Sequence, residues 1–289
     1  MNHFLPLLAL ADWSRGVCSF LGADMGESVE AFYDDLAESY HLMFENWDQS
    51  IARQAALIGP LLERYTGKNS AYVLDCACGI GTQTIGLAQR GHILVGSDLS
   101  KSAVARAKTE ARIRDLDVTF HVADMRKLST IPETGFDAVL VADNALPHVL
   151  SQQDLEEATV EIAAKLKDSG ILMATLRDYD QLLSTRPTVQ EPAFYEQDGK
   201  IRFVHQVWQW HGEQYAIHIY LTLETENGWS VKHFSSLYRA LRRSDLNQAL
   251  RSAGFTNIRW LEPDTTLFYQ PIVVAIKGGL NTSADERLR

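Results

Sequence analysis

"VLDCACGIGTQTIGLAQRGHILVGSDLS", residues 73–100, is the stretch that decides the fold. An apolar run ending in Asp75 leads into a loop carrying Gly79 and Gly81. A short helical segment follows, Gly91 closes it, and a second apolar run ends in Asp98. Strand, loop, helix and strand in this order form a β-α-β unit, with its loop at the carboxyl end of the first strand. Backbone N–H groups and the positive end of a helix dipole meet a ligand there, and glycine permits close approach.

The alternation continues downstream. Strands are expected at 71–75, 92–98, 118–124, 136–143 and 170–178, with helices over 82–90, 100–115 and 154–167. Ser151 and Asp154 read as a capping box for the last of these helices, and Gly170 as its end. Near-continuous apolar strands separated by helices read as an α/β fold: a Rossmann-like, doubly wound, mostly parallel seven-stranded sheet covered on both faces.

The flanking regions differ. Residues 1–27 read as a leader and a candidate for disorder, with Met25 as an alternative start. Residues 28–178 hold a helical cap and the ligand-binding core. The cap comprises two helical patterns, 28–44 and 50–65, and Pro60 is expected to kink or end the second. Residues 179–240, with aromatic-rich runs at 201–210, 215–224 and 229–241, read as an inserted antiparallel substrate-lid region. Residues 241–277 return to the main sheet, and 278–289 form a polar tail.

The 289 residues are 46% hydrophobic and 22% charged, ordinary for a globular protein. A net charge of −10 repels a phosphate backbone or an anionic membrane, so neither is expected as a partner. No apolar run approaches the roughly 18 residues of a membrane span. Cys18, Cys76 and Cys78 make neither a disulfide framework nor a zinc spacing, which fits a reducing cytoplasm and no bound metal.

The loop reads Asp75-x-Ala77-x-Gly79-x-Gly81, with Thr84 where a dinucleotide fingerprint carries its third glycine. Asp75 would repel a pyrophosphate and receive an ammonium. Asp98, followed by Leu99, suits two ribose hydroxyls. Asp124 suits an adenine amino group with Met125 against the ring, and Asp143 after the fourth strand is counted with this set.

These ordered elements resemble the class I S-adenosylmethionine-dependent methyltransferases over roughly residues 70–178. Two stretches are similar to the glycine and glycine/sarcosine N-methyltransferases within that class. One is "ADNALPHVL" (142–150), matching at Asn144 and His148. The other is "LRDYDQLLSTRP" (176–187), matching at Arg177, Tyr179, Asp180, Leu183, Ser184 and Thr185. The resemblance implies S-adenosylmethionine as cofactor and Arg53 as the partner of its carboxylate. It implies methyl transfer to a small polar metabolite at nitrogen. Asn144 would orient the acceptor and Arg177 would grip its carboxylate, unless Arg177 pairs with Asp178 or Asp180. His148 is a general base or a helix cap. Tyr33 and Tyr40 close over the sulfonium or pack in the core, and Trp208, Trp210, Tyr220 and Tyr238 are pocket walls or filling. The alternatives are a heteroaromatic or secondary-metabolite N or O acceptor, a nucleotide-binding oxidoreductase, and a non-catalytic sensor. Homo-oligomerisation is left open.

Overall fold

The computed structural model describes residues 28–197 and 199–278; the leader with Cys18 and Met25, and the tail from residue 279, lie outside the described residues. Ser28 caps α1 (Val29–Leu36), which buries Phe32 and Leu36 on its inner side. The chain then breaks and resumes as a 3-10 turn, Tyr40–Met43, so the pattern over 28–44 is two pieces rather than one helix. Asn46 caps α2 (Trp47–Thr66), which runs through Pro60 to Gly67 at φ +68°. Pro60 does not end this helix. It is exposed, as is Ala56, whose carbonyl loses its helical donor, so water can take that carbonyl.

The core follows as β1 (Tyr72–Asp75), α3 (Thr82–Gln89), β2 (Ile93–Asp98), α4 (Lys101–Ile113), β3 (Thr119–Val122), β4 (Phe136–Val141), α5 (Gln152–Lys165) and β5 (Leu166–Thr175). Ser151 caps α5, accepting from the Asp154 N–H. Gly170 does not close that helix. Leu166 already begins the strand, and Gly170 lies inside β5, where a Cβ would come 2.9 Å from the Lys167 carbonyl oxygen. After α6 (Tyr179–Thr185) come β6 (Ala193–Gln197), β7 (Lys200–His211), β8 (Gln214–Thr225) and β9 (Gly228–Arg239). The chain ends in α7 (Arg243–Ser252), β10 (Phe255–Leu261), α8 (Pro263–Thr266) and β11 (Ile272–Lys277).

The main sheet has the order β10-β11-β5-β4-β1-β2-β3. β11 lies antiparallel between β10 and β5, and every pair from β5 to β3 is parallel. The mostly parallel seven-stranded sheet expected from the alternation is the one observed. Its central strands carry Val73, Leu74, Val139, Leu140, Leu172 and Met173 fully buried, because helices cover both faces.

The insertion forms a second sheet, β6-β7-β8-β9, antiparallel throughout. Strand β6 escaped the sequence reading. Period-two alternation turns Val204, Trp208, Ile217, Ile219, Leu221, Phe234 and Tyr238 inward, where they join the main core. Arg202 fixes this sheet to the α1–α2 connection. It is 7% exposed and donates to the carbonyls of Leu42, Phe44 and Glu45 at 3.1, 2.7 and 2.8 Å. Lys232 adds a bond to Ser39 Oγ at 2.8 Å. Among the described residues no helix is long and apolar enough to cross a membrane.

Arg202→Ala should strand three carbonyls that now share one buried guanidinium. A loss of about 2–3 kcal/mol is expected from urea unfolding. A change within about 0.5 kcal/mol, the range of a neutral surface substitution, would show that the strap is dispensable.

Candidate active site

Two adjoining cavities lie at the carboxyl ends of the main strands. The first, about 510 Å³, is lined by residues 76–80, Asp98, Leu99, residues 123–126, Ala142, Asp143 and His148. Gly79 sits at φ +51°, and a Cβ there would meet nothing within 4 Å, so the loop presents bare backbone to open space. Its N–H donates to Asp98 Oδ2 at 2.8 Å, and the Ser100 N–H donates to Oδ1 at 2.9 Å. Each Asp98 oxygen keeps a lone pair for a ligand hydroxyl. Burial pushes the Asp98 carboxyl above its ordinary pKa.

Other predicted residues sit differently. Gly81 does not line the cavity; it holds φ +97° at the start of α3, and a Cβ would come 3.0 Å from Ile85. Asp75 does not line it either. Its side chain is buried beneath the loop and accepts from Thr84 Oγ1 at 2.6 Å. Asp124 lines the cavity, but Arg126 grips its carboxylate, with Nη2 at 2.6 Å. Burial acts to raise the Asp124 pKa, and Arg126 outweighs it, so the net shift is downward. Ala77, Leu99 and Met125 stand on the cavity wall.

The second cavity, about 270 Å³, lies beneath the inserted sheet, and Tyr33, Tyr40 and Asp143 line both. Arg177 lies on its wall. Nη1 donates to the Tyr215 hydroxyl at 2.9 Å, and the guanidinium carbon stands 4.7 Å from the Trp208 ring centroid and 5.8 Å from that of Tyr238. Asp178 and Asp180 pair instead with Arg243 and Arg242, at 3.4 and 4.0 Å. Among the described residues, no carboxylate lies within ion-pair distance of Arg177.

Asn144, 3% exposed, lines the second cavity with its amide already engaged. Oδ1 accepts from the Arg177 N–H at 3.0 Å and Nδ2 donates to the Tyr179 hydroxyl at 2.8 Å. His148 ends the 3-10 turn Leu146–His148, with Nε2 2.9 Å from the Tyr33 hydroxyl. Burial lowers its pKa to about 3, so the ring is neutral at physiological pH. Arg53 is exposed and lines the second cavity, not the first where a cofactor carboxylate partner was expected. Tyr220 stacks between His205 and His233, at 4.8 and 4.7 Å, and Trp210 donates to the Pro187 carbonyl; neither lines either of these two cavities. Sequence reading missed Gln83, whose Nε2 reaches Asp143 at 2.8 Å, and Tyr269, whose hydroxyl donates to the same carboxylate. The place of Gln83 one residue inside the helix after the glycine loop was an available signal; Tyr269 offered none.

Burial raises the Asp75 carboxyl from 3.8 to about 7. Its folded pKa exceeds the unfolded one, so the penalty on the charged form is absent below pH 3.8 and complete above about 7. Asp75→Asn keeps an acceptor for Thr84 and removes the titration. The stability of this variant relative to the parent should therefore rise between pH 4 and pH 8 in urea unfolding. A difference independent of pH would contradict a buried, titrating carboxyl.

A methyltransferase domain model matches residues 73–170. A glycine/sarcosine N-methyltransferase of Parasynechococcus marenigrum is 30% identical over 162 residues, 56% of this chain and 56% of that protein. The match thus spans little more than half of that relative. Streptomyces venezuelae DesVI superposes with TM-score 0.69 at 20% identity, covering 84% of this chain and 98% of that one. An amino pentose methyltransferase of Micromonospora echinaspora, solved with S-adenosylmethionine bound, gives TM-score 0.65 at 19% identity over 79% of this chain and 92% of its own. The bare Gly79 backbone, the free lone pairs of Asp98 and the apolar wall at Leu99 and Met125 fit S-adenosylmethionine, the cofactor of this class. The domain match over residues 73–170, the strand order and the loop geometry support a class I S-adenosylmethionine-dependent methyltransferase.

Proposed function

We propose that the protein methylates the nitrogen of a small polar amine that also carries a carboxylate, with glycine and sarcosine as representatives. The observation that carries this reading is the Arg177 guanidinium, set on the wall of the second cavity with aromatic and hydroxyl neighbours and, among the described residues, no carboxylate within ion-pair distance. Its planar fork suits a carboxylate. At about 270 Å³ the cavity sits below the ~300–1,000 Å³ typical of ligand sites, which favours a small acceptor. The similarity to a glycine/sarcosine N-methyltransferase supports the same choice. The likeness to an amino pentose methyltransferase favours a second reading, an amino sugar, for which Arg177 has no charge to meet.

When bound, S-adenosylmethionine supplies a methyl on a sulfonium, which the nitrogen pair takes as the carbon–sulfur bond breaks and its pair stays on sulfur. Asp98, the Gly79 backbone, Leu99 and Met125 hold the nucleoside side. Asp124 and Ala77 belong to the same wall, and Asp143 to the boundary. Tyr33, Tyr40 and the inserted sheet keep water from that boundary, while Asn144 fixes the Arg177 backbone. Positioning and exclusion of water are the main contributions asked of these residues.

Two measurements test this. Asp98→Ala should weaken S-adenosylhomocysteine binding by about 1.5–3 kcal/mol, roughly 10- to 100-fold by calorimetry, with the fold retained. Unchanged affinity would remove Asp98 from the cofactor site. Arg177→Lys should lower kcat/KM for glycine or sarcosine by about 2–4 kcal/mol and leave an amide analogue nearly unaffected. Equal penalties for both would exclude the carboxylate clamp, and a preference for an amino sugar in the same assay would favour the second reading.

A further inference from the structure

Asp143 is the one carboxylate among the described residues that lines the second cavity, and it lines the first as well. Its backbone is strained: Asp143 and Asn144 hold φ +54° and +64° in succession, a region that non-glycine residues enter at a cost. Thr175 maintains the turn, accepting the Asp143 N–H on Oγ1 at 2.9 Å and the Asn144 N–H on its carbonyl at 3.1 Å. Strain held this way at the meeting of two cavities points to a side chain whose direction matters.

The surroundings of the carboxylate narrow its role. Gln83 Nε2 donates to Oδ2 at 2.8 Å and the Tyr269 hydroxyl donates to Oδ1. Both donors are neutral, and each oxygen keeps a lone pair. Asp124 is paired with Arg126, and Asp137 with Lys68 and Lys167; Asp143 has no cation within ion-pair distance among the described residues. The titratable groups that face it are Tyr33 from α1, Tyr40 from the following turn, Asp75 from β1, Arg177 from the end of β5 and Tyr269 from the segment before β11; Arg53 of α2 lines the same cavity. Burial raises the Asp143 carboxyl above its ordinary pKa, and the two neutral donors and Arg177 only partly offset it. A half-buried carboxylate lacking a cation is an arrangement that a cationic ligand relieves.

We propose that Asp143 receives the acceptor's ammonium and takes its proton, so that the protein binds its acceptor as a cation. This rests on the N-methylation reading above. In this step one N–H bond of the ammonium breaks, its electron pair stays on nitrogen as the nucleophilic pair, and the proton forms an O–H bond on Asp143. The product is again an ammonium, and the proton passes to water once the product leaves. With Arg177 in the same cavity, the site holds both charges of a zwitterion: ammonium toward Asp143, carboxylate toward Arg177.

The test uses the full chain with glycine and sarcosine as probes. Asp143→Asn preserves the turn, since asparagine tolerates positive φ, and circular dichroism checks that it folds. Its kcat should fall about 100-fold, the range for loss of a general base. Calorimetry on protein loaded with S-adenosylhomocysteine should show sarcosine binding weakened about tenfold, as expected when an ion pair worth ~1.4 kcal/mol is lost. Affinity for S-adenosylhomocysteine itself should change less than about twofold, well under the tenfold that ~1.4 kcal/mol represents. Tyr269→Phe removes a donor to the charged carboxylate, so the acidic limb of the kcat/KM profile should move to higher pH. The proposal is overturned if Asp143→Asn methylates as the parent does, if its loss lies entirely in cofactor affinity (the carboxylate then serving the cofactor's ammonium), or if the acidic limb stays fixed in Tyr269→Phe. If the parent methylates neither amine, the N-methylation reading falls and takes this proposal with it; an active parent beside an equally active Asp143→Asn removes only the proposal.

Discussion

One buried amide ties the site to the sheet. Asn144 follows β4, and its Oδ1 accepts the backbone N–H of Arg177 at the end of β5, while Nδ2 meets the Tyr179 hydroxyl that opens α6. The Asn144 backbone is held in turn by the Thr175 carbonyl. Two neighbouring parallel strands thus end in a fixed register at the crevice where an open α/β sheet binds its ligands. A hydrophobic side chain of similar size would pack in the same space. It would leave the Arg177 N–H and the Tyr179 hydroxyl short of partners, and the directions of Asp143 and Arg177 would no longer be set.

The inserted sheet lies over that crevice and adds a wall to it. Its inner face supplies Trp208, Tyr215 and Tyr238, whose ring faces and hydroxyls surround the Arg177 guanidinium. A half-buried cation with no carboxylate in ion-pair distance survives here because ring quadrupoles and a phenolic oxygen replace part of its hydration. A permanent ion pair would neutralise the group and remove its usefulness to an incoming anion. Arg202 shows the contrast: it sits in the same sheet, and its donors are taken up by three backbone carbonyls and Gln197. Both arginines are largely withdrawn from water, and only one faces a cavity.

The order of strands and helices through residues 71–178 was legible because both local signals, apolar runs and glycine-bearing turns, agree with the global fold. Disagreement came where tertiary context wins. Pro60 passes through α2 because the carbonyl it frees is exposed, which no local pattern reports. Strand β6 has an exposed side on much of its length and was missed for that reason. At the site, the positions of Gly79 and Asp98 on the cavity wall could be placed from the sequence, since they follow from strand ends and the loop after the first strand. Asp75 could not: its acidity argued for an ammonium, while its position under the loop makes it the partner of Thr84. Tyr269 was out of reach, because the contact that matters is with a residue 126 positions away.

The carboxylates of the site show how environment rather than residue type assigns chemistry. Asp98 accepts two backbone N–H groups, so it is rigid and remains an acceptor for hydroxyls. Asp124 is neutralised by Arg126, and its oxygens serve the wall of the cavity more than a ligand's charge. Asp75 is buried against a single hydroxyl and supports the loop from below. Asp143 alone combines a cavity on either side, neutral donors and strained backbone held by Thr175. These four aspartates therefore differ in what their surroundings suit: hydroxyl donors, an internal ion pair, a support beneath the loop and, on the proposal above, a cation. On that proposal a carboxylate at the junction of the two cavities has a chemical reason, because an amine that arrives protonated has no lone pair to give until a nearby base has taken its proton.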